Sequence, residues 1–130
     1  MKVLITGANG QLAKEFQRYL EVKNIFYLAL PKEKLDITDF FFLKEVIENF
    51  KPTLVINCAA YNQVNLAETD YEKAYQVNAL APYSLAVLSK EKNFLIHYST
   101  DYMFDGERKK CYTEKDKPNP INKYGKTKLF

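Results

Sequence analysis

Apolar residues recur along this chain with two alternating periods. Val3–Thr6 is a short β-branched run that ends at Gly7. Leu12, Phe16, Tyr19 and Leu20 follow at i, i+4, i+7 and i+8, which is one face of a helix. Asn24 to Leu30 reads as a second strand, closed by Pro31. Leu43, Val46, Ile47 and Phe50 share a face of a helix that starts after Asp39 and stops before Pro52. Leu54–Asn57 is an unbroken apolar run, suited to a strand buried on both faces of a parallel sheet.

Thr69-Asp-Tyr-Glu72 has the form of a capping box and predicts a helix starting near Asp70. Its apolar set is Ala74, Val77, Ala81, Leu85 and Leu88. Pro82 sits inside that set and removes a backbone donor, so the helix should kink or split there. Phe94–Tyr98 is the next strand, a polar loop runs from Asp105 to Asn122, and a short final helix opens near Asn122. Alternating strands and helices predict an α/β chain: a doubly wound, Rossmann-type parallel sheet with helices on both faces, stopping before its last strands. No repeat, low-complexity tract or linker divides residues 1–130.

Composition narrows the picture. A chain of 130 residues, 47% hydrophobic, can build one core and is not a disordered segment. The net charge of +3 is scattered except at Arg108-Lys-Lys110, too sparse for a nucleic-acid partner and expected to be a solvated loop. Cys58 and Cys111 make neither a disulfide framework nor a metal spacing, so no metal is expected. Cys58 should be a buried thiol. The N-terminal apolar run is too short for a signal peptide, and no stretch approaches the roughly 20 apolar residues of a membrane span. The chain reads as cytoplasmic.

The candidate chemistry lies at the two ends. Gly7-x-x-Gly10-x-x-Ala13 follows a strand and opens a helix. Gly7 permits a tight turn, Gly10 lets backbone approach a pyrophosphate, and Ala13 lets the helix pack closely on the sheet. Free N–H groups at the helix start would face the phosphates. No acid stands at the strand end around Leu30, in Leu28-Ala-Leu-Pro-Lys32-Glu-Lys34, to read a ribose 2′-hydroxyl, and Lys32 and Lys34 are close by, which leans toward NADPH. Tyr124 and Lys128, four apart, share a helix face. An ammonium beside the tyrosine should lower its pKa and fit it for proton transfer to a carbonyl oxygen. Ser99 and Thr100 close a predicted strand, where a hydroxyl could hold that oxygen.

Together these residues resemble the extended short-chain dehydrogenase/reductases, and within them the dTDP-4-dehydrorhamnose reductase family. The likeness is carried by Val3-Leu-Ile-Thr-Gly-Ala-Asn-Gly-Gln-Leu12, Leu35-Asp-Ile-Thr-Asp39 and Val55-Ile-Asn-Cys-Ala-Ala-Tyr61. It continues through Val77-Asn-Ala79 with Ala81-Pro82, His97-Tyr-Ser-Thr-Asp-Tyr-Met-Phe-Asp-Gly106 and Asn119-Pro-Ile-Asn-Lys-Tyr-Gly-Lys-Thr-Lys-Leu129. Asn62-Gln-Val-Asn65 departs from the family's Thr-Ala-Val-Asp.

The resemblance implies reduction of a dTDP-linked 4-keto sugar to dTDP-L-rhamnose, with hydride from NADPH or NADH. Thr100 would hold the keto oxygen, Tyr124 would donate the proton, and Lys128 would tune Tyr124 and bind the nicotinamide ribose. Gly7, Gly10, Gln11 and Leu12 would line the pyrophosphate, and Asp36 and Ile37 the adenine side. Ala59, Ala60 and Tyr61 would border the cofactor, and Tyr102 would face the nucleotide-sugar substrate. Asn78 is either a proton relay behind Lys128, as the resemblance suggests, or a cap for a kink near Pro82. His97 is expected to be a hydrogen-bonded structural histidine. Residues 1–130 would be an incomplete NAD(P)-binding domain lacking the substrate-binding C-terminal part of a possible homodimer. Three other readings stand beside this one: a regulatory subunit akin to that of methionine adenosyltransferase, an inactive fragment, or another nucleotide-sugar epimerase or dehydratase. In the isolated chain, Tyr124 and Lys128 are expected to fray and cofactor to bind weakly.

Overall fold

The computed structural model describes residues 1–129. The strands are β1 (Lys2–Thr6), β2 (Phe26–Leu30), β3 (Leu54–Asn57) and β4 (Phe94–His97). The helices are α1 (Gln11–Val22), α2 (Phe40–Phe50), α3 (Tyr71–Tyr75), α4 (Ala81–Ser89) and α5 (Lys123–Leu129). All strand pairs are parallel, in the order β2-β1-β3-β4. The chain leaves β1 in one direction to make β2 and crosses back over β1 to make β3. The switch point therefore falls between β1 and β3, where open α/β sheets bind ligands at the strands' carboxyl ends.

Strand alternation sends residues to two cores. Leu4 and Val55 face α2 and α4, packing with Leu35, Leu43, Ile47, Leu85 and Leu88. Val3, Ile5 and Ile56 face α1, packing with Ala13 and Leu20. Helices thus cover both faces, as the pattern predicts. β4 pairs only through β3 among the described residues, and its Phe94 is 80% exposed.

Local chemistry explains the boundaries. Asp39 caps α2 by accepting from the Phe42 N–H at 3.0 Å, and Lys51 ends it in the left-handed region before Pro52. The predicted capping box is corrected: Thr69 donates its hydroxyl back to the Leu66 carbonyl at 3.1 Å, and Asp70 makes no cap. The Asp70 carboxylate instead accepts from the Tyr61 hydroxyl at 3.2 Å. The expected split at Pro82 is absent: α3, a π turn at Gln76–Leu80 and α4 follow one another without leaving helical backbone, with Pro82 in the first turn of α4. The wider π turn is where the winding accommodates the missing N–H.

The polar loop is more ordered than a solvated one. Asp105 accepts from the Tyr112 hydroxyl at 2.7 Å, Asn119 Nδ2 at 2.9 Å and the Glu107 N–H at 3.1 Å. These hydrogen bonds hold its carboxyl down at about 2. Phe104 stacks on Tyr112, and Arg108 pairs with Asp116, so the basic cluster is partly neutralised.

Candidate functional site

The turn after β1 is shaped by backbone. Gly7 has φ +66°, and a Cβ there would lie 2.7 Å from the Ala59 nitrogen and 2.8 Å from its Cα. Only glycine allows both the turn and the close approach of β1's end to β3's. The Gly10 N–H returns to the Gly7 carbonyl at 3.0 Å, and Ala8 donates to Leu30 at 3.2 Å, tying the turn to β2. Gly10 then leads into α1, whose first turn has no side-chain cap and no acid. Its N–H groups face the crevice without a protein acceptor, which suits an anion. Ala13 is fully buried against the sheet.

Two adjoining cavities form the crevice at the switch point. One, of about 310 Å³, is bounded by Gly7, Gly10, Asp36, Ile37 and Ala59–Tyr61, with Lys32, Glu33 and Lys73 at its mouth. The other, of about 280 Å³, is bounded by Gly10–Ala13, Ala59, Ala60, His97, Ser99, Tyr124 and Lys128. A larger cavity of about 500 Å³ lies among Ile47, Lys51, Pro52 and Asn93, at the opposite pole. It borders the strands' amino ends, away from the glycine turn, so the crevice is the functional candidate.

Lys32 stands at the crevice mouth, 3.9 Å from Asp36, whereas Lys34 does not line it. Burial works to raise the Asp36 carboxyl, but hydrogen bonds from Thr38 and the Lys32 ammonium outweigh it and leave it below the ordinary value. Lys73, on α3, reaches the same mouth from the other side and sits 4.0 Å from Asp70. Neither helix periodicity nor spacing marked Lys73, because only packing brings α3 to β2's end.

The acid/base end is assembled from distant segments. The Gly125 N–H donates to Asn122 Oδ1 at 2.7 Å, the Lys123 N–H donates to Glu68 Oε1 at 2.8 Å, and Lys123 Nζ donates to the Glu68 carbonyl at 2.6 Å. These bonds cap α5 from within and from across the fold. Tyr124 and Lys128 are each 8% exposed, and Gly125 and Thr127 are buried with them. These contacts weigh against the expected fraying: the helix is short but docked, and packing supplies what its length cannot.

Asn78, 1% exposed, holds this arrangement together. Its Oδ1 accepts the Tyr61 N–H at 2.8 Å, and its Nδ2 donates to the Tyr61 carbonyl and to Thr127 Oγ1, both at 3.1 Å. Thr127 donates to the Tyr124 carbonyl at 2.7 Å. Asn78 makes no side-chain hydrogen bond to Lys128 and caps nothing at Pro82. It clamps the loop after β3 to α5.

Tyr124 meets Tyr102 edge to face at 5.7 Å, and the Thr100 hydroxyl lies near its phenol while donating to Asp101 Oδ1 at 3.2 Å. Thr100 and Tyr102 do not line the cavities; they reach the site through Tyr124, while Ser99 lines the wall. Lys128 Nζ donates to the Tyr98 carbonyl at 2.8 Å. Lys128 is not among the groups that shift the Tyr124 phenol here. Burial, the largest influence, raises the Tyr124 pKa, Thr100 lowers it, and Asp101 and Tyr102 raise it further, so the net shift is upward. Burial lowers that of Lys128. The phenol therefore holds its proton at neutral pH. Cys58, half-buried in the crevice wall, is pushed up by burial to about 11, while Cys111 is exposed.

A family model for the RmlD substrate binding domain matches residues 1–130. The chain belongs to that family. It is 42% identical over 131 residues to a dTDP-4-dehydrorhamnose reductase of Burkholderia thailandensis, an alignment covering all of this chain and 44% of that protein. It superposes on the crystal structure of a Clostridium acetobutylicum dTDP-4-dehydrorhamnose reductase with a TM-score of 0.96 and 45% identity, over 99% of this chain and 46% of that one. A Bacillus anthracis dTDP-4-dehydrorhamnose reductase, solved in complex with NADP, gives a TM-score of 0.93 and 40% identity, over 98% and 46%. This family member thus spans a little under half the length of those relatives. Among the described residues no cluster suits a metal, and no helix is long and apolar enough to cross a membrane.

Proposed function

We propose that this chain is the cofactor-binding part of an NAD(P)H-dependent reductase that converts dTDP-4-dehydrorhamnose to dTDP-L-rhamnose. The observation that carries the reading is the convergence of Tyr124 and Lys128 with Gly10–Ala13 on one cavity at the switch point. The residues fit a dinucleotide: Gly7 leaves a cradle that a Cβ would fill, and the first turn of α1 offers uncapped N–H groups. The nicotinamide supplies a hydride when bound. Tyr124 delivers the proton to the carbonyl oxygen as the carbon is reduced, and its raised pKa keeps that proton available. Thr100, close to the phenol, orients the same oxygen, and Lys128 carries positive charge beside the site. Lys32 and Lys73 at the crevice mouth favour NADPH by pairing with a 2′-phosphate. The substrate would be a nucleotide sugar, and a homodimer is the expected assembly.

The test is NADPH oxidation by the full-length protein with the dTDP-4-keto sugar. Tyr124→Phe should lower kcat by roughly 10²–10⁴-fold, the range of a lost general acid. Unchanged turnover would rule out the assigned proton donor. A regulatory, non-reducing role would appear instead as NADPH binding by the wild type with no turnover.

A further inference from the structure

Thr6, Asn57 and His97 occupy one register row across β1, β3 and β4. They lie at the carboxyl ends of the strands, two residues beyond the row Leu4, Val55 and Leu95 and on the same face. Asn57 Oδ1 accepts the Thr6 hydroxyl at 2.6 Å and the Ala59 N–H at 3.2 Å. Two donors on that atom decide which way the amide faces. Its Nδ2 is then the atom 3.0 Å from His97 Nδ1. An amide nitrogen can only donate, so His97 Nδ1 must present its lone pair. The neutral ring therefore carries its proton on Nε2. Protonating Nδ1 would set one N–H against another. Lys128, packed above from α5, opposes charge on the ring as well, after burial.

Nε2–H makes no hydrogen bond to the described residues, and it is not among the buried atoms left unpartnered. His97 lines the cavity between α1's first turn and the Tyr124–Lys128 pair. Hydride must arrive beside Tyr124, so this is the cavity for the nicotinamide half of a dinucleotide. We propose that His97 is a cofactor-positioning residue, a tautomer-locked neutral imidazole whose Nε2–H donates to an oxygen of that half. The inference rests on the dinucleotide reading of the crevice and adds a contact to it. Asn57 acts through His97 and through the turn at Ala59.

Two measurements on the full-length protein test this. Histidine-labelled protein, with His97→Gln for assignment, should show the Nε2–H tautomer of His97 in nitrogen–proton correlation spectra from about pH 8 to about pH 6.5. NADPH should move the Nε2 signal. An Nδ1–H tautomer, or a charged ring at neutral pH, overturns the proposal. In fluorescence titrations, His97→Phe should weaken NADPH about fivefold, the effect of one hydrogen bond, and leave 2′,5′-ADP unchanged. His97→Gln, which keeps a donor, should recover most of the loss. Equal NADPH affinity in His97→Phe, or equal weakening of both ligands, overturns the proposal. Failure of the wild type to bind either ligand would instead sink the dinucleotide reading. The tautomer is read on the wild type, so a variant that fails to fold leaves the proposal open to refutation.

Discussion

At the Gly7 end of the crevice, backbone does the shaping; at the Tyr124 end, side chains do. The glycine turn lies between strand ends already joined by the β1–β3 ladder. It needs a left-handed residue without a Cβ and little else. The acid/base helix has no strand to lean on. It is held by Asn78, Glu68 and Asn122, which come from three separate segments. The first end is local and rigid, because its geometry follows from the sheet. The second depends on one local cap, from Asn122, and on long-range polar ties from Glu68 and Asn78.

The most damaging way to break the contrast is Gly7→Ala. The new Cβ meets the Ala59 backbone, and φ +66° strains any L side chain. A loss of about 2–4 kcal/mol in denaturant unfolding is expected, with NADPH binding lost as well. Wild-type stability would refute the backbone account.

Gly125→Ala attacks the other end. Its Cβ would run into the Tyr102 carbonyl and crowd Pro120. A loss of about 1–3 kcal/mol should concentrate in α5. Hydrogen exchange would then show residues 123–129 protected in the wild type and exposed in the variant, with the β1 turn unchanged. Equal exposure in both proteins would restore the fraying expectation.

A smaller effect separates the ends by pH. His97 is an exposed residue whose ring is partly desolvated by its neighbours; that desolvation first, and Lys128 second, set its pKa below the ordinary value, so the effect is small. Below about pH 6.5 the unfolded chain takes up a proton that the folded chain refuses. Stability should therefore fall as pH drops from that value, and level off once the folded-state pKa is passed. His97→Gln should flatten this part of the profile. A profile that the variant leaves unchanged would remove His97 from the account.

The mildest probe is thiol labelling. Cys111 should react first, and Cys58, raised to about 11 in the crevice wall, far more slowly. NADPH should slow Cys58 further. Equal rates would place Cys58 outside the crevice.

Strand and helix order, an irregular turn of helix before Pro82, the glycine turn and the Tyr124–Lys128 pair were all legible in the sequence, because period, turn chemistry and spacing are local. The pattern at Thr69 placed the helix start correctly, at Tyr71 after Asp70, but not the capping bonds. Tyr61 and the Leu66 carbonyl, brought close by folding, take the polar groups first. Asn57 closes an apolar run and was visible as its polar end, yet its partners Thr6 and His97 are 51 and 40 residues away.

Alone, the sequence determined the alternation that makes a parallel sheet and the residue types that chemistry requires. Only the tertiary structure decided how those groups are held: Asn78 as a clamp, Tyr124 with its pKa raised, His97 in one tautomer. Burial and hydrogen-bond direction are properties of neighbours, and here the neighbours come from segments that meet only when the chain is folded.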